Sequence, residues 1–219
     1  MRSILARLRQ RDGSYEPELQ AAISRLVRPG WTCADVGAHH GIFTQLLAEL
    51  VGEGGRVIAF EAHPANARRL RKALGSGVRD RVIVENLAVT DGSAERVSLH
   101  PGRRRASQEW NVLGADLEGR PTPAELEVGA TSLDSYFAEI PLEFVKLDVE
   151  GAEADVLLGM RSLLHEAKPT IAVEFHTDAG WTGRRELLHA GYRLETLAGE
   201  PVDAGPRAER VYQCLALPE

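Results

Sequence analysis

Apolar and polar positions follow two rhythms along this chain. Up to Val27 apolar residues recur at helical spacing, and Pro29-Gly30 marks the stop. Beyond it, short apolar runs at 32–36, 56–61 and 82–86 predict strands, and the segments 43–51 and 65–74 predict helices between them. The alternation resumes with strands over 144–149 and 170–175 and helices over 152–165 and 182–189. Strands separated by helices predict a parallel sheet covered on both faces.

The end of the chain departs from that rule. Strands at 192–197 and 210–217 are joined by a segment holding Gly199, Pro201, Gly205 and Pro206, too short and broken for a crossover helix. A parallel return needs about a dozen residues or more, so the final strand is expected to run antiparallel in a mixed sheet. The middle differs again. Residues 102–121 carry Arg103-Arg104-Arg105 and Trp110 with little periodicity, between strand-like pieces at 96–100 and 126–129. Long structureless stretches in compact domains are usually functional or mobile, so 102–121, with Arg103 to Asn111 at its centre, is expected to form an active-site flap. Thr131-Ser132-Leu133-Asp134 fits a capping box opening a short helix. Without repeats or low complexity, the 219 residues read as one domain with an N-terminal helical segment over 1–29.

Composition narrows the classes. With 43% hydrophobic and 26% charged residues the chain is globular rather than disordered. A net charge of −6 gives no basic field, and aromatic residues are few, so nucleic acid is not an expected partner. Cys33 and Cys214 lie far apart in apolar runs, which suits two buried thiols and a reducing compartment. No apolar run approaches the ~20 residues of a membrane span, and the basic first ten residues lack a signal peptide's apolar stretch. A cytoplasmic location, without a membrane partner, is expected. The pattern sets no oligomeric state.

Candidate chemistry begins at Asp35-Val36-Gly37-Ala38-His39-His40-Gly41, which follows a strand and opens a helix. Glycines there let a ligand approach the backbone, and open parallel sheets bind nucleotides at this end. Glu61 ends the next strand, where a carboxylate can take both ribose hydroxyls. A dinucleotide would need Gly-x-Gly-x-x-Gly, whereas this loop has Gly37-x-x-x-Gly41. Asp35 would repel a diphosphate but would suit a cofactor with an ammonium group and no phosphate. S-adenosylmethionine (SAM) is such a cofactor. Asn86 and Ala88, after the third strand, are expected beside its adenine.

The strand over 144–149 is the second signal. A central parallel strand should be almost wholly apolar, yet the period of two puts Lys146, Asp148 and Glu150 on one face. Glu174 and His176 repeat the device on the next strand. If the two strands are neighbours, five ionisable groups gather at their ends, and buried charge needs mutual pairing or a function. Glu153 reads as an acid matching the next helix's dipole.

The stretches Asp35-Val36-Gly37-Ala38-x-x-Gly41, Phe60-Glu61-Ala62-His63-Pro64 and Lys146-Leu147-Asp148-Val149-Glu150-Gly151-Ala152-Glu153 resemble the signatures of FkbM-type methyltransferases. The resemblance covers roughly residues 30 to 178. It implies a class I SAM-methyltransferase fold: a Rossmann-like α/β sheet of seven mostly parallel strands, the last antiparallel, with helices on both faces. It also implies O-methylation of hydroxyls on natural products or sugars. His39 stands where the family usually carries Asn, at the loop expected to meet the cofactor's methionine end.

Enzymes that methylate planar nitrogens use an Asn/Asp-Pro-Pro-aromatic turn after the fourth strand, where this chain has Asp148-Val149-Glu150-Gly151. A small hydroxylated acceptor fits better, since a carboxylate or histidine can take its proton. Asp148, Glu150 and His176 are the candidate bases. His176 is favoured for its ordinary pKa near neutrality, with Lys146 and Glu150 aiming Asp148. Asp148, Glu174 and His176 offer metal ligands, but no dedicated ligand loop is present and no metal is expected. Two rivals stay open: an NAD-linked oxidoreductase and a catalytically silent SAM-fold binding protein.

Overall fold

The apolar runs pair into a seven-stranded sheet. A computed structural model describes residues 15–101, 110–112, 124–202 and 212–219. Its elements are α1 (Pro17–Leu26), β1 (Thr32–Val36), α2 (Ile42–Val51), β2 (Arg56–Phe60), α3 (Pro64–Ala73), a 3-10 turn (Arg79–Arg81), β3 (Val82–Glu85) and β4 (Ala88–Val89). Then come β5 (Arg96–Pro101), β6 (Trp110–Asn111), β7 (Leu126–Thr131), α4 (Leu133–Tyr136), β8 (Phe144–Leu147), α5 (Glu153–Leu158) and α6 (Arg161–His165). The chain closes with β9 (Thr170–Phe175), α7 (Asp178–Thr182), α8 (Arg184–His189), β10 (Tyr192–Glu195) and β11 (Tyr212–Pro218).

The strand order is β10-β11-β9-β8-β1-β2-β3. From β3 to β9 neighbours run parallel, and β11 slots antiparallel between β9 and β10. The reversed last strand is therefore present, as the broken linker predicts. Alternation along each strand feeds two cores. Cys33 points toward the side of α1 and α2, whereas Ala34 and Val36 point toward the side of α5 and α8. Phe60, Phe144 and Phe175 are almost completely buried, and each such side chain contributes about 1.5–3 kcal/mol. That apolar centre offsets the cost of the charged groups at the strand ends.

A smaller sheet, β4-β7-β5-β6, packs on its own core of Ala88, Leu99 and Val128. It pairs the two pieces flanking the irregular middle, β5 against β7. Within the expected flap, Trp110 and Asn111 form β6 against β5, while 102–109 and 113–121 lie outside the described residues.

Two expectations need correction. The single helix over 152–165 is two helices, parted at Gly159 and Met160. A Cβ at Gly159 would overlap the Thr90 carbonyl, so the helical line is interrupted where the Thr90–Asp91 backbone, just after β4, packs against it. The capping box is also divided. Ser132 caps α4 through the Ser135 N–H, whereas Asp134 accepts the N–H groups of Ser162 and Leu163 at 3.0 and 2.9 Å, capping α6.

Candidate active site

β1 ends at Val36, and the chain turns into α2 through a loop whose donors can be followed one by one. The N–H groups of Gly37 and Ala38 donate to the Phe60 carbonyl, at 3.0 and 2.9 Å. His39 N–H donates to Glu61 Oε2 at 2.7 Å, and Gly41 N–H to the Ala38 carbonyl at 2.7 Å. Gly37 has φ 81°, and a Cβ there would overlap the Asp148 carbonyl oxygen, so both conformation and space require glycine. Gly41 packs on Leu70. Glu61, at the end of β2, also accepts the His63 N–H at 3.0 Å and lies 6% exposed. Burial pushes its carboxyl up from the ordinary value, and the His63 and His39 N–H groups pull it partly back.

A cavity of about 470 Å³ lies beyond this loop. Its lining includes the apolar side chains of Phe60, Leu87, Ala88, Val89 and Leu99 together with Glu61. Tyr15, Phe43, Lys146, Asp148, Glu150, Asn111 and Val112 line it too, with Lys146 Nζ 5.1 Å from the centre of the Phe43 ring. Gly37, His39, Glu61 and Ala88 thus line the cavity, whereas Asp35, Gly41 and Asn86 stand behind its wall. Asn86 donates to the carbonyls of Glu61 and Ala62, at 2.9 and 2.7 Å, and so clamps the backbone that carries Glu61. Asp35 is fully buried; its Oδ2 accepts the Thr44 hydroxyl at 2.5 Å, and its Oδ1 lies 4.0 Å from Lys146 Nζ.

The strand register explains the charged end. Asp35 on β1 pairs with Lys146 on β8, and Glu174 on β9 pairs with Gln213 on β11. β8 stops at Leu147, but the Asp148 N–H still donates to the Val36 carbonyl at 3.1 Å and its carboxylate meets Lys146, so Asp148 keeps the face that the period of two implied. Beyond it, a left-handed turn through Glu150 (φ 55°) and Gly151 (φ 106°) breaks the alternation and leaves Glu150 beside His176. The five groups do converge. Lys146 Nζ lies 2.8 Å from Asp148 Oδ2. His176 Nε2 faces Glu174 at 3.4 Å, Asp148 at 3.6 Å and Glu150 at 3.8 Å.

These neighbours set the protonation states. Burial alone would lower the Lys146 pKa, but Asp148 and Asp35 outweigh it and raise it. Burial would raise Asp148, yet Lys146 and His176 hold it below the ordinary carboxylate range. For His176 burial again favours the neutral form, but bonds to Glu153 and Glu174 and the charge of Asp148 push it up to about 11. A histidine held as the cation cannot collect a proton at neutral pH, so the reason for preferring it as the base does not hold. Asp148, Glu150, Glu153 and Glu174 surround His176, and Lys146 lies between Asp148 and Asp35. One ligand atom each from Asp148, Glu174 and His176 falls within 4.8 Å of the others, a spacing a divalent cation can bridge.

Several contributors escaped the sequence reading. Glu153, taken as a dipole-matching acid, bonds His176 Nδ1 at 2.9 Å. Tyr15 lines the cavity from the segment before α1 and packs edge-on against Phe43. Glu16 meets Gln213 at 2.9 Å, and the same amide donates to Glu174 at 2.7 Å. Nothing local marks these four residues, because each works through a partner distant in sequence.

Comparison with known proteins agrees with this architecture. Residues 35–194 match the methyltransferase FkbM domain family. The curated 2-O-methyltransferase NoeI of Sinorhizobium fredii is 26% identical over 159 residues, 67% of this chain and 64% of that protein, so the likeness spans under two thirds of the relative's length. Among solved structures, an FkbM methyltransferase from Methylobacillus flagellatus aligns over 90% of this chain and 50% of its own, at 18% identity and a TM-score of 0.55. A SAM-dependent O-methyltransferase from Thermotoga maritima aligns over 99% and 71%, at 16% identity and a TM-score of 0.54. The fold is that of the class I SAM methyltransferases, and the chain belongs to the methyltransferase FkbM domain family.

Proposed function

We propose that this chain moves a methyl group from SAM to a hydroxyl of a small molecule, sugar or natural product. The observation that carries the reading is the cavity itself: apolar side chains, the Glu61 carboxylate and an ionised aspartate, Asp148, line one space. The apolar side chains suit adenine, and Glu61 suits a ribose diol. Because Gly37, Ala38, His39 and Gly41 spend their N–H groups inside the protein, little is left to cradle a pyrophosphate. That favours SAM over NAD. Asp148 and Glu150 in the same lining suit a sulfonium and an ammonium group.

When bound, SAM supplies a methyl group activated by a positively charged sulfur. The chain's own residues supply position and a proton acceptor. Tyr15 and Phe43 wall the acceptor side, and Asp148, held ionised by Lys146 and His176, receives the hydroxyl proton. A carboxylate held low is a modest base, so much of the rate rests on placing the hydroxyl in line.

The test uses methyl-labelled SAM with methyl glycosides bearing a free 2-hydroxyl, and with simple phenols, read by mass spectrometry for an O-methyl ether. The relative named as a 2-O-methyltransferase motivates the first probe. Transfer is expected, unaffected by EDTA, and Asp148→Asn should lose on the order of 100-fold in rate at saturating SAM. SAM binding without transfer to any of these acceptors would leave a silent binding protein. Loss with EDTA and recovery with magnesium would assign the cluster to a metal.

A further inference from the structure

We propose that Glu153 is a positioning residue that sets the orientation of His176 and of the turn carrying Asp148 and Glu150; the role serves the proposed methyl transfer and rests on that reading. Glu153 opens α5 and has no solvent exposure. Its Oε1 accepts the Gly151 N–H at 2.8 Å and meets His176 Nδ1 at 2.9 Å. One oxygen thereby ties the left-handed turn after β8 to the end of β9.

A helix cap alone does not account for this residue. Among the described residues Glu153 Oε2 is buried with no hydrogen-bond partner, which costs stability that a cap with a single polar atom, such as a serine hydroxyl, would not. The backbone of α7 crowds that same oxygen, since a Cβ at Gly180 would overlap it. The carboxylate is thus wedged with Oε1 toward the imidazole. With Nδ1 held, Nε2 must point the other way, toward Glu174, Asp148 and Glu150. The Nδ1 contact is the shortest of the four, and it decides which way the ring faces. The charged groups around the ring are Glu153 from α5, Glu174 from β9, and Asp148 and Glu150 from the turn, with Lys146 behind Asp148.

The test is proton and nitrogen-15 NMR of the His176 imidazole in the full chain at a fixed pH of about 7, with SAM affinity measured by calorimetry. In the wild type the Nδ1 proton should lie at low field and show a nuclear Overhauser contact to the Gly151 amide, since both meet one oxygen. Glu153→Gln keeps an oxygen for the Gly151 N–H but removes the charge. Its Nδ1 proton should move upfield and the contact to the Gly151 amide should weaken. Glu153→Asp should move the signal back toward the wild type. An unchanged Nδ1 signal and contact in Glu153→Gln overturn the proposal. If that variant does not fold, a wild-type ring without the low-field Nδ1 proton and the Gly151 contact overturns it equally. Absent SAM binding would sink the methyltransferase reading while leaving the NMR outcome to stand for itself.

Discussion

His176 keeps a proton that a free histidine would share with water at neutral pH, because carboxylates close on it from α5, β9 and the turn after β8. That has a consequence for stability. Its folded value, about 11, lies above the ordinary 6.5, so the imidazolium stabilises the fold fully below about pH 6.5. The contribution then drains away as pH rises toward 11. Melting temperature should therefore fall across that alkaline window, and His176→Gln should start lower but lose less. A wild-type curve as flat as the variant's would contradict the cage. At this scale the sequence was half legible. Lys146, Asp148, Glu150, Glu174 and His176 announced themselves as charges where an apolar strand should run. Their protonation did not, since it depends on Glu153, 23 residues before His176, and an acid in a first helical turn looks the same whether or not it holds a histidine.

Elements were read well where hydrophobic rhythm alone decides them and poorly where a third segment intrudes. β1, β2 and β9 stand close to where alternation puts them. The break between α5 and α6 does not follow from the apolar spacing of 152–165, which continues through it. It comes from the crowding of Gly159 by Thr90 and from Asp134, which offers α6 the acceptor its first turn needs. Asp134 sits on a different helix, and local pattern cannot say which helix a capping acid serves. Asp134→Ala should cost about 1 kcal/mol, as loss of a cap does. In a chain of this size that is a fall of about 2–4 °C in melting temperature. A scanning calorimeter resolves that change. If it is absent, the two N–H groups of α6 are satisfied by water, and Asp134 is dispensable.

For the whole molecule, the order of strands brings together residues that no motif connects. β8 lies between β1 and β9, so the first turn, the Lys146 strand and the His176 strand open at one edge, while β11 brings Gln213 back to Glu174 and Glu16. The reversed strand could be inferred from a linker that cannot hold a helix. Its insertion between β9 and β10 could not, because pairing order leaves no trace in periodicity. The same topology makes the molecule's ligand preference testable. At 100 times its dissociation constant a ligand adds about 2.7 kcal/mol, a rise of about 5–11 °C for a domain of this size. SAM and S-adenosylhomocysteine should each produce such a rise, and NAD should not, since the loop N–H groups are already bound to Phe60, Glu61 and Ala38. Glu61→Ala should cut SAM affinity by roughly one to two powers of ten, the worth of charge-assisted hydrogen bonds of ~1.5–3 kcal/mol. Because Glu61 also accepts the His39 and His63 N–H groups, the variant should melt lower without ligand, and the two effects separate when affinity is measured by calorimetry below both melting points. A folded Glu61→Ala chain that binds SAM as the wild type does would move the ribose away from β2 and leave Glu61 as a brace for the loop.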